Sequence, residues 1–87
     1  MTEAKPLKVR IYVTLKPTVL DPQGQTIQAA LAGLGHAAIR DVRQGKYFEI
    51  ALAQGVTREQ AAGEIEAVAR DVLSNPVIED YRLEFVD

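Results

Sequence analysis

The segment KVRIYVTLK, from Lys8 to Lys16, alternates between polar and apolar side chains along its whole length. Alternation with a period of two is typical of a β-strand that buries one face and exposes the other. Pro17 follows at once and is expected to end the strand, because proline lacks a backbone N–H donor. The predicted inward side chains are Val9, Ile11, Val13 and Leu15, and the predicted outward ones are Lys8, Arg10, Tyr12, Thr14 and Lys16.

An amphipathic helix is predicted after this strand. Asp21 precedes Pro22, and this order is typical of an N-cap residue followed by the first helical position. Gly33 and Gly35 mark the expected end of the helix, where glycine is favoured. Its apolar stripe consists of Ile27, Ala30, Leu31 and Leu34.

A second helix is predicted near the C-terminal end. Thr57 and Gln60 have the spacing of a capping box, in which each residue satisfies a backbone N–H near the other. Asn75-Pro76 is expected to stop this helix. Its predicted apolar stripe consists of Ala61, Ile65, Val68 and Val72.

Three further strands complete the predicted fold. Ala37–Arg43 and Lys46–Ala53 are strand-like segments joined by Gln44-Gly45, a candidate for a tight turn because glycine adopts positive φ. Val77–Val86 is the last strand. The order β-α-β-β-α-β predicts the α+β class and a ferredoxin-like fold, with an antiparallel sheet and two helices on one face.

The sheet face opposite the helices carries a mixture of aromatic and charged side chains. A solvated antiparallel face is one explanation. A face that packs on another subunit is the other, because tyrosine and arginine are enriched in interfaces. The residues predicted on this face are Arg10, Tyr12, Thr14, Tyr47, Glu49 and Ala51.

Composition limits the classes of function. The 87 residues have a net charge of −2 and no cysteine. A flexible N-terminal lead is expected over residues 1–7 and a single domain over residues 8–87. Without cysteine, disulfides and thiolate metal sites are excluded, so oligomerisation remains the means of supporting a thin core. No basic tract or long apolar run occurs, so neither nucleic acid nor membrane is an expected partner, and the expected location is the cytoplasm.

The sequence contains no recognisable arrangement of catalytic residues. His36 is the one imidazole, and nothing in the sequence pairs it with a nucleophile. No glycine-rich phosphate loop of a known pattern occurs. Glu79 and Asp80 are adjacent on a predicted strand, so their carboxylates face opposite sides. We therefore predict that this chain is not an enzyme by itself and has no catalytic, cofactor-binding or metal-binding residues.

Three further segments carry a resemblance to a known family. They are VLDPQG at residues 19–24, DVRQGKY at residues 41–47 and NPVIEDY at residues 75–81. Together with the first strand, over about residues 8–86, they resemble the PurS family, the small subunit of phosphoribosylformylglycinamidine synthase.

The resemblance implies a place in a larger ligase complex of purine biosynthesis. It implies a glutaminase subunit and an ATP-dependent synthetase subunit as partners, with ATP, Mg and glutamine used by the complex and no cofactor bound by this chain. It further implies a homodimer or higher oligomer that bridges the two larger subunits and assists ammonia transfer between them. The residues expected to contact partners are Asp21, Gln23, Gly24, Arg43, Lys46 and Tyr47.

Alternatives from other classes remain open at this stage. An ACT-like domain that binds a small regulatory molecule shares the order of strands and helices, and Asp21-Pro22-Gln23-Gly24 is compatible with its first loop. An acylphosphatase has a loop that Gln44-Gly45 partly matches, but that loop follows the first strand. An RNA-binding sheet of the RRM type requires a stacking motif that the sequence lacks.

Overall fold

The first predicted strand lies at the centre of the sheet. The structure, a computed structural model, describes residues 7–86, so the predicted lead falls outside the described residues except for Leu7. The elements in chain order are β1 (Lys8–Leu15), α1 (Pro22–Gly33), β2 (Gly45–Ala51), α2 (Arg58–Val68), a π-helical turn (Ala69–Leu73) and β3 (Glu79–Val86).

The three strands form an antiparallel sheet in the order β2-β1-β3. Ile11 lies opposite Phe48 of β2 and Leu83 of β3. Side chains alternate across a sheet, so this register places the apolar residues of all three strands on one face. The predicted division of β1 into an inward and an outward set is confirmed for its central residues.

The core forms between β1 and the second helix. Val9, Ile11 and Val13 are fully buried, and Ala61 and Ile65 of α2 are buried against them. Each valine or isoleucine side chain contributes about 1.5–3 kcal/mol when it is removed from water. This layer of helix on sheet is therefore the main source of stability within the described residues.

The second helix is capped as predicted but ends differently. Thr57 Oγ1 accepts from the Gln60 backbone N–H at 3.2 Å, and the Gln60 side chain accepts from the Thr57 backbone N–H at 2.8 Å. Ala69 follows Ala61 and Ile65 at a spacing of four residues and is fully buried. The wider π-helical turn from Ala69 to Leu73 then brings Leu73 against the core, and the expected core residue Val72 is 73% exposed.

Two predictions about residues 37–45 are wrong. Ala37–Arg43 forms no strand among the described residues, and Gly45 begins β2 without a turn and without positive φ. Gly45 instead lies against β1, where an added Cβ would be 2.5 Å from the Val13 carbonyl oxygen. Residues 41–44 form no regular element, because the Gln44 backbone N–H bonds to Asp21 at the start of α1 and the Arg43 side chain bonds to the Lys16 carbonyl in the loop after β1.

The first helix lies outside the core. The α+β class and the antiparallel sheet are confirmed, but α2 covers the apolar face without α1, contrary to the expectation of two helices there. Gly24 is the one buried residue of α1. The radius of gyration is 17.4 Å, whereas a compact domain of this length has about 12 Å. An extent of 55 × 33 × 14 Å agrees with a helix that projects from the sheet.

Candidate functional site

Asp21 joins two segments that are distant in sequence. Its side chain is 4% exposed. One carboxylate oxygen accepts from the Gly24 backbone N–H at 2.9 Å and caps α1, as predicted. The other oxygen accepts from the Gln44 backbone N–H at 2.7 Å, immediately before β2. A single carboxylate thus ties the start of α1 to the start of β2.

Gly24 permits the close approach of these two segments. An added Cβ at this position would overlap the Val42 carbonyl oxygen. A glycine near the start of a helix costs about 1 kcal/mol relative to alanine, so its presence requires a reason. The contact with Val42 supplies that reason, and the backbone that approaches belongs to this chain.

Arg43 adds a third connection. Its Nη2 atom donates to the Lys16 carbonyl at 3.0 Å and to the Val19 carbonyl at 2.9 Å, so it ties residues 41–44 to the loop after β1. Hydrogen bonds from a charged donor are among the stronger ones in proteins. We call this group the Asp21 junction; it consists of Asp21, Gly24, Val42, Arg43 and Gln44.

The electrostatics of the junction favour an ionised Asp21. The hydrogen bond from the Gln44 backbone N–H, followed by that from Gly24, lowers the pKa of this carboxyl below its ordinary value. The nearby charge of Arg43 lowers the pKa further, against the opposing effect of burial. Asp21 is therefore an anion in the folded chain at neutral pH.

Gln23 and Lys46 lie beside the junction and are exposed. Gln23 lines a surface depression of about 180 Å³ together with Gln44 and Lys46. The Lys46 ammonium donates to the Leu73 carbonyl at 3.3 Å and lies 3.5 Å from a Glu79 carboxylate oxygen. Lys46 therefore ties β2 to the end of the π-helical turn, while its other side remains open to solvent.

Tyr47 belongs to a different surface, on the outward face of the sheet. Tyr47 is 51% exposed, and its ring lies 5.2 Å from the ring of Tyr12, centroid to centroid. The Arg82 guanidinium stacks on Tyr12 at 4.2 Å, and the Tyr12 hydroxyl donates to Glu84 at 3.1 Å. We call this surface the aromatic face; it consists of Arg10, Tyr12, Tyr47, Glu49, Arg82 and Glu84.

Charges on the aromatic face are paired with one another. Arg10 lies 3.5 Å from Glu84 and 3.9 Å from Glu49. The pKa of Tyr47 is raised, first by partial burial and then by its hydrogen bond to Glu49. Arg82 and Glu84 were not singled out from the sequence, although the alternation of β3 places them on this face. The sequence signal for them was their alternation with Leu83 and Phe85, the residues predicted to face the other side of the last strand.

The apolar side of α1 forms a third exposed surface. Ile27 is 41% exposed and Leu34 is 75% exposed, and they follow one another along the same side of the helix. Exposed apolar residues that are aligned in this way are characteristic of an interaction surface. We call this surface the α1 stripe; it consists of Ile27, Ala30, Leu31 and Leu34.

The six predicted partner-binding residues thus fall into two groups. Asp21, Gly24 and Arg43 are engaged in the Asp21 junction, whereas Gln23, Lys46 and Tyr47 are exposed. Their contact with a partner stays a prediction. Over residues 7–86, no three metal-ligating side chains cluster, and no helix there has the length and apolarity to span a membrane.

These features define the class of protein: a small ferredoxin-like α+β domain whose conspicuous polar groups tie the chain to itself or face outward. A family model described as PurS, phosphoribosylformylglycinamidine (FGAM) synthase, matches residues 8–87. The chain therefore belongs to the PurS family, the small subunit of FGAM synthase in purine biosynthesis. The resemblance stated from the sequence is confirmed, in preference to the ACT-like alternative.

Known members of the family are similar to this chain in both sequence and structure. The chain is 44% identical over 73 residues to phosphoribosylformylglycinamidine synthase subunit PurS of Mycobacterium leprae, covering 84% of this chain and 87% of the relative. The crystal structure of Methanocaldococcus jannaschii PurS, a subunit of formylglycinamide ribonucleotide amidotransferase, matches with a TM-score of 0.82 at 33% identity, covering 93% of this chain and 96% of the other.

A chain in the structure of PurLQS from Thermotoga maritima matches equally well. The TM-score is 0.82 at 28% identity, with 93% of this chain and 99% of the other covered. Because the relatives are named as subunits, this chain is a subunit of a ligase complex and not a catalytic enzyme by itself, as the sequence predicted.

Proposed function

We propose that this chain bridges the glutaminase and synthetase subunits of FGAM synthase and assists the transfer of ammonia between them. The observation that carries the proposal is the match over 93% of the chain to a protein solved as part of PurLQS. The bridging role is geometric. A subunit that holds two active sites together raises the local concentration of the transferred intermediate without performing chemistry.

The surfaces of the chain support this role. The aromatic face presents two tyrosines and two arginines in a patch that is open to solvent, and these are the residue types enriched at protein interfaces. Of its two tyrosines, Tyr47 is exposed and Tyr12 is half-buried. We assign the aromatic face to contact with a larger subunit, and the exposed Lys46 and Gln23 beside the Asp21 junction to a separate partner contact.

A homodimer is the second part of the proposal, with a second copy of this chain as the occupant of the α1 stripe. In a closed ferredoxin-like domain two helices cover one sheet face, but here α2 does so alone. Phe48 and Ile50 of β2 consequently remain only half-buried. The α1 stripe of a second copy is complementary to this uncovered strip, and a twofold axis would satisfy both copies at once.

The remaining parts of the proposal concern chemistry and location. ATP, Mg and glutamine are assigned to the larger subunits, and no cofactor is assigned to this chain. Ammonia released at one active site would be used at the other while both are held in the complex. The cytoplasm is the proposed location, together with the rest of the ligase complex.

The bridging role is tested by reconstitution from purified subunits. FGAM formation is measured with glutamine and, separately, with an ammonium salt as the nitrogen source, in the presence and absence of this chain. We expect glutamine-dependent activity to require the chain and ammonium-dependent activity of the synthetase to change little. Equal glutamine-dependent activity without the chain would contradict the bridging role.

The assignment of the aromatic face is tested with Tyr47→Ala. This change removes an exposed ring and is expected to weaken co-elution with the larger subunits while the sheet stays folded. Arg70→Ala is the matched control, because Arg70 pairs with its neighbour Asp71 on the π-helical turn, away from the aromatic face. Charge reversal of Arg43 is less informative, because that change also breaks the Asp21 junction.

The homodimer is tested by sedimentation equilibrium of Leu34→Ser. A polar side chain in the α1 stripe is expected to raise the dimer dissociation constant without lowering the free energy of unfolding of the monomer. Val72→Ser is the matched control, because Val72 is exposed to a similar degree but lies outside the α1 stripe. Unchanged self-association of Leu34→Ser would assign the second copy to another surface.

A further inference from the structure

The position of α1 depends on few contacts, and Asp21 makes two of them. No α1 side chain belongs to the cluster of buried apolar residues that forms the core in the described part of the chain. Hydrophobic packing therefore does not set the direction in which the helix leaves the sheet. Polar contacts at its first turn set this direction instead. The Asp21 carboxylate accepts hydrogen bonds both from Gly24 of the helix and from Gln44 before β2.

The geometry of the Asp21 junction restricts the movement of α1 relative to the sheet. Gly24 lies so close to the Val42 carbonyl that the first turn of α1 cannot slide along residues 41–44 without losing the contact. Arg43 holds the same segment to the loop after β1 through two carbonyls. Gln44 is followed at once by β2, so the junction transmits the orientation of the sheet directly to the helix.

We propose that Asp21 is a positioning residue for assembly. Its carboxylate fixes the direction in which α1 projects, and so presents the α1 stripe in the orientation that a second copy of this chain accepts. The part concerning the second copy rests on the proposed homodimer. A helix that is already oriented loses less conformational freedom on association, which strengthens binding without any new intermolecular contact.

The variant Asp21→Asn separates this role from helix capping. Asparagine caps helices about as well as aspartate. However, an amide has one acceptor oxygen, so whichever way it turns, either Gly24 or Gln44 faces an NH2 group in place of an oxygen. Asp41→Asn is the matched control, because the exposed Asp41 accepts from its neighbour Val42 through one oxygen, which asparagine retains.

The orientation is measured as a distance between spin labels on α1 and α2. The chain has no native cysteine, so Ala29→Cys and Glu64→Cys give two defined exposed sites. Labelled protein is diluted with unlabelled protein so that distances within one chain dominate. We expect a narrow distance distribution in the parent protein and in Asp41→Asn, and a broad one in Asp21→Asn.

Self-association is measured on the same variants without labels. Loss of a buried hydrogen bond to a charged group is expected to weaken dimerisation about tenfold in Asp21→Asn, with helix content by circular dichroism unchanged. A distance distribution in Asp21→Asn as narrow as in the parent protein would overturn the proposal. A broad distribution with unchanged dimerisation would overturn the role in assembly.

The same measurements distinguish a wrong role for Asp21 from the absence of a homodimer. If the parent protein remains monomeric at every concentration, the proposed function loses its dimer, and the role of Asp21 in assembly with a second copy is overturned with it. The distance distributions still decide whether Asp21 orients α1 within one chain. The two failures are therefore distinguishable.

Discussion

The sheet with α2 and the arm formed by residues 16–44 are held in the fold by different forces. The sheet and α2 are joined by valine, isoleucine and alanine side chains that pack against one another in the core. The arm carries apolar side chains of comparable size on α1, but these face outward, and the arm is held by hydrogen bonds of the Asp21 junction.

This difference indicates what each region is for. Apolar burial within one chain produces a stable support that needs no partner. A polar junction fixes direction without covering apolar surface, so the surface remains available to another molecule. Substitutions in the two regions are therefore expected to differ in their effects on folding.

The largest effect is expected for Ile11→Ala at the centre of the sheet. Ile11 is fully buried between β2 and β3, so truncation leaves a cavity and is expected to cost about 2–5 kcal/mol of unfolding free energy. Chemical denaturation of dilute protein measures this loss. Leu34→Ala on the arm is the comparison and is expected to change the monomer by less than about 0.5 kcal/mol. Similar losses for both would end the distinction between the regions.

The second-largest effect is expected at the Asp21 junction, which connects the arm to the sheet. Gly24→Ala places a Cβ against the Val42 carbonyl and is expected to cost about 1–3 kcal/mol, because the overlap outweighs the better helix propensity of alanine. Gly33→Ala, at the other end of the same helix, has open space around the added Cβ and is expected to be neutral or slightly stabilising. Thermal unfolding of both variants gives the comparison. Equal unfolding midpoints would contradict a close contact between Gly24 and the Val42 carbonyl.

Much of the sheet and α2 was predictable from sequence, because its signals are local. The alternation around Ile11 set the strand and its faces, and the capping box of Thr57 and Gln60 set the start of α2. The placement of Leu73 against the core in place of Val72 was not predictable, because it depends on a π-helical turn that has no simple local signal.

The arm was harder to predict because its contacts span the sequence. Gln44-Gly45 has the composition of a hairpin turn, and local propensity favours that interpretation. The hydrogen bond from the Gln44 backbone N–H to Asp21, which is 23 positions away in the sequence, overrides this preference. The sequence indicates that Asp21 caps the helix, but no spacing rule predicts the partner of its second carboxylate oxygen.

The third effect is an acid response confined to the arm. Because the folded-state pKa of Asp21 is lowered by Gln44 and Gly24, the unfolded state binds more protons as the pH falls. The stabilisation is complete above the ordinary carboxyl pKa of about 4 and is lost as the pH falls through the lowered value. Hydrogen exchange at the Gln44 amide, compared at neutral and acidic pH, measures this release.

The controls for the acid response isolate Asp21 from other carboxylates. Asp21→Asn has no carboxyl to titrate at this position, so the protection of its Gln44 amide is expected not to fall between neutral and acidic pH. Asp71 also has a lowered pKa, caused first by its hydrogen bonds from Arg70, but it lies on the surface of the other region. Asp71→Asn should therefore leave the response of the arm intact. Release of the Gln44 amide at the same pH in Asp21→Asn and the parent protein would contradict the assignment.

The smallest effect belongs to the polar margin of the sheet and α2. The Tyr81 hydroxyl donates to Glu66 at 2.6 Å and so joins β3 to α2, and this bond is the first cause of the raised pKa of Tyr81. The contribution is present below the ordinary tyrosine pKa of about 10 and is lost as the pH rises through the raised value. Tyr81→Phe should therefore lower the unfolding midpoint slightly at neutral pH and not at strongly alkaline pH.

Tyr47→Phe is the control and should have less effect at neutral pH, because the Tyr47 hydroxyl bonds to Glu49 of its own strand and does not connect two elements. If Tyr81→Phe lowered the midpoint as much as Ile11→Ala, polar contacts would dominate in both regions, and the contrast between a packed support and a hydrogen-bonded arm would be lost.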